Sequence, residues 1–210
     1  MTALAITISC GGPSVRSVPT LLSGQAAAER PRISDIPEGP VRSILESARE
    51  QLQVTTNYTQ DYRVIPYPMG DMPPETGACT DVVIRAFRAA SVDLQKEVHE
   101  DMAANFSAYP QKWGLALTDT NIDHRRVPNL QTFFTRKGKS KPISSDGEDY
   151  KPGDVVTWDL DGKGMTHIGV VSNTWNDKSK RYFIIHNIGS GAQEEDRLFD
   201  WKITGHYRYF

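Results

Sequence analysis

Cysteine is scarce in this chain. Two occur in 210 residues, Cys10 and Cys79, and two cannot build a disulfide framework. If Cys10 leaves with an N-terminal leader, Cys79 is a lone thiol. Long apolar runs are also missing. None approaches the roughly 20 residues that a membrane-spanning helix needs, so no stable membrane insertion is expected. Charge of one sign is lacking too. Lys and Arg number 24 against 26 Asp and Glu, for a net charge of -2 and a pI near 6.2. That balance gives no electrostatic case for nucleic acid or anionic lipid. No internal repeat is present. His99, Asp101, His124 and His206 lack the tight spacing of a zinc site, so neither metal nor another cofactor is expected.

What is there suffices for one core. With 38% hydrophobic residues, the length supports a single domain over residues 29–210. Residues 1–28 read as an export signal or a disordered tail. Arg16 precedes a short apolar run, Val18-Pro19-Thr20-Leu21-Leu22, and Gln25-Ala26-Ala27-Ala28 resembles a small-residue cleavage site. A bacterial periplasmic or otherwise extracytoplasmic location is the corresponding expectation.

The first half is helical and the last quarter is β-rich. Pro40 with Val41, Ile44, Leu45, Ala48 and Leu52 predicts an amphipathic helix over 40–53. A Pro- and Tyr-rich loop follows to Gly77. Helices are predicted from Cys79, from Asp93 to Phe106, and around Leu130, Phe133 and Phe134 up to Gly138. Short strands are predicted at Val155–Trp158, His167–Val171, Tyr182–His186 and Ile203–Tyr209. Helices first and strands afterwards predict an α+β fold, with helices packed on a C-terminal antiparallel sheet.

The stretch Gly77-Ala78-Cys79-Thr80-Asp81-Val82-Val83 is a turn feeding a helix, with a thiol at the junction. Thr80 or Asp81 can satisfy the first-turn amides. The positive end of the helix dipole favours a thiolate there, which can bring cysteine from about 8.5 to roughly 3.5–7.5. A small buried core cysteine is the plainer alternative. A nucleophilic cysteine needs a base, and the base an orienting group. A hairpin of residues 166–172 and 181–187, turning between Asn176 and Asp177, sets His167 directly opposite His186. A slip of one residue brings Asn187 there instead, so the third group is His186 or Asn187. Gly169 would leave room for a neighbouring helix or substrate. Asp123-His124-Arg125-Arg126 offers an arginine fork for an anionic group, or else a salt-bridged structural loop.

Cys79-Thr80-Asp81, Lys151-Pro152-Gly153-Asp154-Val155-Val156-Thr157-Trp158, Thr166-His167-Ile168-Gly169-Val170-Val171 and Phe183-Ile184-Ile185-His186 resemble, in that order, the NlpC-type cell-wall cysteine hydrolases. That superfamily is papain-like. The resemblance implies Cys79 as nucleophile, His167 as base and His186 as orienting residue, with Tyr67 lining the site. Asp81, Arg125 and Asn187 are further candidates for contact with substrate. Residues 40–210 resemble more closely a bacterial family, domain of unknown function number twelve eighty-seven. The phrases that carry it are Gly77-Ala78-Cys79-Thr80-Asp81, His99-Glu100-Asp101-Met102, Asn121-Ile122-Asp123-His124-Arg125-Arg126-Val127-Pro128-Asn129 and Gly205-His206-Tyr207-Arg208-Tyr209.

Two departures stand out against the hydrolases. Their Cys-Ser-Gly is Cys-Thr-Asp here, and a carboxylate so near can raise the thiol pKa or repel an anionic substrate. The connection from Ser91 to Tyr150 is also longer than theirs. The expected function is an exported cysteine amidase or endopeptidase acting on cell-wall peptides as a monomer. The alternatives are an ester or thioester hydrolase or acyltransferase using the same pair, a non-catalytic binding module with Asp81 suppressing the thiolate, and a metal-dependent hydrolase.

Overall fold

Proline lacks an amide proton and is at home in the first turn of a helix. Pro40 opens α1, Pro40–Val54, in the computed structural model, which describes residues 33–210. The expectations for residues 1–28 therefore lie outside the described residues. Helix α1 buries Ile44 and Ala48 in one core with α2, Cys79–Ala89, whose Val82, Val83, Ala86 and Phe87 are wholly buried. Asp93 caps α3, Leu94–Ala104, by accepting from the Gln95 amide at 3.1 Å. Helix α4, Val127–Arg136, supplies Leu130, Phe133 and Phe134 to the same core.

The long loop before α2 is stapled by a short parallel pair, β1 (Asn57–Tyr58) with β2 (Thr76–Gly77). The main sheet holds β3 (Val155–Asp159), β4 (Thr166–Asn176), β5 (Arg181–Asn187), β6 (Ala192–Glu195) and β7 (Lys202–Tyr207). Its order is β6-β5-β4-β3-β7, antiparallel throughout, so the fold is α+β. Edge strand β6 carries no sequence pattern that announces it.

Alternation gives the sheet two buried faces. Val155, Ile168, Val170 and Ile185 pack with the helices. Val156, Trp158, Val171 and Ile184 face the other way, under Tyr150 and Leu198, with Phe199 and Trp201 against them. Sheets covered on both sides read as continuous apolar runs, which is the pattern of Val155-Val156 and Val170-Val171.

The β4–β5 hairpin corrects two expectations. Its tip pairs Asn176 with Arg181, leaving the four residues Asp177 to Lys180 as the loop, so the turn is centred between Lys178 and Ser179 rather than between Asn176 and Asp177. After an irregularity, Val170 pairs with Ile185 and not with Phe183, so the register is offset by two residues. An even offset leaves every side chain on its face. His167 and His186 accordingly share a face but meet diagonally, and Gly169 takes the place opposite His186. Gly169 makes room for that neighbouring strand, not for a helix or substrate. A Cβ there would lie 2.6 Å from Ile184 Cγ2 and 3.1 Å from His186 Cβ. We expect Gly169→Ala to destabilise the domain by about 1–3 kcal/mol. Urea unfolding checks this: the midpoint should fall with the slope unchanged, and an unmoved midpoint would contradict it.

Candidate active site

Cys79 is the first residue of α2, and the sequence builds that terminus from its own side chains. Asp81 Oδ2 accepts from the Ala78 amide at 2.6 Å, and Thr80 Oγ1 donates to the Arg125 carbonyl at 3.2 Å. Arg125 then grips Asp81 with two bonds, Nε to Oδ1 at 2.9 Å and Nη2 to Oδ2 at 3.0 Å. Both side chains are nearly sealed from solvent, at 2% and 3% exposure. The rest of the guanidinium holds the carbonyls of Asp61 and Thr59. Of the two readings of the Asp123–Arg126 loop, this is the salt-bridged structural one rather than the anion fork, and it corrects the reading of Asp81 and Arg125 as substrate contacts. The two neutralise each other and clamp the start of α2 to the loop before it and the 3-10 turn Asp123–Arg125.

A second correction concerns the thiol. Burial pushes Cys79 up to about 12, and the Asp81 carboxylate adds to the rise. Amide hydrogen bonds to the sulfur from Ile168, Thr80 and Cys79 itself pull the other way without overcoming burial. The helix terminus alone therefore does not make a thiolate. Cys79 rests as a neutral thiol.

A cavity of about 420 Å³ opens beside it, lined by Cys79, Thr80, Tyr58, Gln60, Trp113, Arg126, Lys112 and Thr166 among others. The Arg126 guanidinium lies 4.2 Å from the Trp113 ring centroid and bonds Asp123 at 3.3 Å. Tyr67 is not in this wall. It is 41% exposed and packs edge-on against His99. Tyr58 takes the place expected of it, with Gln60 bonded to its hydroxyl. Nothing local in the sequence marks Tyr58. Only the pairing of β1 with β2, immediately before Cys79, carries it there.

The histidines meet as expected, in a different way. His167 Nε2 lies 2.7 Å from His186 Nδ1, and His186 Nε2 lies 3.1 Å from Glu195 Oε2. Trp201 packs edge-on to His167 and tilted over His186, and Trp158 flanks His167. Glu195 and Trp201 went unread in the sequence, since neither sits in a recognisable motif. Burial drives His167 down to about 3, helped by His186. Burial also lowers His186, against the raising pull of Glu195.

Asn187, the other candidate for the third group, is wholly buried and donates to the carbonyls of Gly77 and Asn57. It holds the turn before Cys79 rather than orienting His167 or touching substrate.

The thiol and the first imidazole lie on opposite faces of β4: Cys79 packs with Ile168 on the helix side, His167 shares the face of Trp158 and Val171, and His167 is not in the cavity wall beside the thiol. The Val171 amide donates to Asp154 on the β3 side, so alternation turns the Ile168 amide toward β5. The paired rungs of β4 and β5 end at Val170 and Ile185. Beyond that rung, the Ile168 amide serves the Cys79 sulfur from the helix side. His167, one residue earlier, projects among Trp158, Trp201 and His186.

The same span of chain answers to a known family. Residues 45–209 match the family described as Domain of unknown function (DUF1287). The chain belongs to that family. The match contains Cys79, His167, His186 and Glu195, and it agrees with the resemblance drawn from the motif phrases. The Escherichia coli (strain K12) uncharacterized protein YijF is 52% identical over 186 residues, covering 89% of this chain and 90% of that protein. No solved structure matches. Among the described residues, no helix of this DUF1287 member is long and apolar enough to cross a membrane.

The buried histidines of this DUF1287 domain predict lability to acid. His124 is also driven down to about 3, first by burial and then by Arg125 and Arg88. Unfolded histidine titrates near 6.5. Between about 6.5 and 3 the unfolded chain therefore binds more protons than the folded one, and stability falls as pH falls. Lowered carboxylates such as Asp154, held by His206 and Arg208, act in the same direction. The urea midpoint should decline steadily from pH 7 to pH 4. A flat profile would contradict buried neutral imidazoles.

Proposed function

We propose that this DUF1287 protein is a cysteine hydrolase with a papain-like, NlpC-type arrangement, an exported amidase or endopeptidase acting on cell-wall peptides. The observation that carries the reading is the placement of Cys79. Its thiol begins a helix at the wall of a cavity, beside the β4 backbone that bears a buried, partnered histidine. His186 occupies Nε2 of His167, so on this reading Nδ1 takes the thiol proton once the imidazole reaches the Cys79 face of β4.

At rest both groups are neutral. As the sulfur attacks the substrate carbonyl, His167 takes the thiol proton and passes it to the leaving amine. The carbonyl oxygen gains the negative charge at the N-terminus of α2, where the Cys79 amide and the helix dipole stabilise it. Water then attacks the thioester, giving up its proton through His167 and releasing the acid and the thiol. Lys112 and Arg126 suit a peptide bearing carboxylates, as cell-wall peptides do. Incubation with peptidoglycan fragments, followed by mass spectrometry, tests the reading. New fragments that have each gained the elements of water across an amide support it, and intact fragments contradict it.

The state of the two groups favours a second reading. A thiol at about 12 and an imidazole at about 3 form no ion pair. A peptide-binding module on the same scaffold would hold the same fragments without cleaving them.

A further inference from the structure

A neutral imidazole has one bare nitrogen, and which one is bare decides whether it can accept a thiol proton. The chain of contacts here leaves no freedom in that choice. An ionised carboxylate only accepts hydrogen bonds. Glu195 Oε2, at 3.1 Å from His186 Nε2, therefore requires the proton of His186 on Nε2. His186 Nδ1 is then bare and accepts. His167 Nε2, at 2.7 Å from it, must donate. Nδ1 of His167 is what remains bare.

We propose that Glu195 is a positioning residue that sets the tautomers of both histidines and so makes Nδ1 of His167 the basic nitrogen of the site. The surroundings support this. His186 is wholly buried, so no water competes for its Nε2. Trp201 packs against both rings and Trp158 against His167. Glu195 is aimed from the other side by Arg197, whose Nη2 and Nε reach Oε1 at 3.3 and 3.4 Å. Glu195 lies on β6, where Ile184 is its partner across the ladder, so it reaches His186 diagonally on the same face. When His167 takes the thiol proton, the Glu195 charge sits one imidazole away and favours the imidazolium. The catalytic use of this arrangement rests on the hydrolase reading, but the tautomer assignment does not.

Long-range proton–nitrogen NMR of protein labelled with nitrogen-15 histidine reads the tautomers directly, without substrate. Wild-type protein at pH 7 should show His167 and His186 both protonated on Nε2. A proton on Nδ1 of either ring would overturn the proposal in the wild type alone, whether or not variants fold. Glu195→Ala should release both rings into mixed tautomers, and Glu195→Gln, which keeps an acceptor oxygen, should restore Nε2 protonation. Unchanged tautomers in the alanine variant would also overturn it. Against a cleavable peptide, Glu195→Ala should lower kcat by about 10-fold or more with KM unchanged. Locked Nε2 tautomers in a protein that cleaves nothing would support the role of Glu195 and defeat the hydrolase reading separately.

Discussion

If the proposed hydrolase reading holds, Cys79→Ala should abolish cleavage of cell-wall peptides, by about 10,000-fold or more, and leave the domain folded. The size follows from removing the sulfur proposed to bond the acyl group, and loss of a nucleophile is not compensated by its partners. The fold survives because the change removes one sulfur atom. The clamp on α2 runs through Asp81 and Arg125 and not through the thiol. His167→Ala should reduce the rate by about 100- to 10,000-fold, the range for a lost general base. Thermal unfolding distinguishes these losses from misfolding. The resting state adds a check. With the thiol held up to about 12, iodoacetamide should label Cys79 slowly at pH 7, and faster only as the solution becomes strongly alkaline. Rapid labelling near pH 6 would mean that a thiolate exists before substrate arrives. Full activity in Cys79→Ala would end the hydrolase account.

The second large effect belongs to the clamp. Arg125→Met leaves Asp81 sealed in the core without its cation, and breaking a buried pair from one side costs about 3–5 kcal/mol. For a domain of this size that corresponds to a fall in Tm of about 10 °C. Adding Asp81→Asn to Arg125→Met should recover part of the loss. It removes the stranded charge and retains an oxygen for the Ala78 amide. If the double variant is no more stable than Arg125→Met, packing around the arginine rather than the buried charge sets the cost. Because the clamp positions the first turn of α2, the single variant should also blunt the chemistry at Cys79.

The helices were legible because local rules decide them. Pro40 opens α1, Asp93 caps α3, and Val82, Val83, Ala86 and Phe87 mark the buried side of α2. The histidine pair was legible for a less secure reason. The expected turn between Asn176 and Asp177 is wrong, because the Asn176 side chain accepts from the Lys178 amide and its carbonyl accepts from the Lys180 amide, which opens a longer loop. The pair survived only because the resulting offset is even. The thiol's state was misread because position at a helix terminus is visible in a sequence and burial is not. Arg125 was legible as a fork or a structural salt bridge, but its partner lies 44 residues away and could not be named. Tyr58 and Glu195 reach the site through strand pairings that no local pattern encodes.

The most direct test is whether an acyl group ever sits on Cys79. Protein mixed with a cleavable muropeptide, quenched in acid within the first turnovers and examined by intact mass and peptide mapping, reads this at one atom. A cysteine hydrolase of this kind should show a transient mass gain equal to the acyl half of the peptide, placed on Cys79 and absent from Cys79→Ala. Product that accumulates while Cys79 stays unmodified, or an adduct on any other residue, would contradict the hydrolase reading.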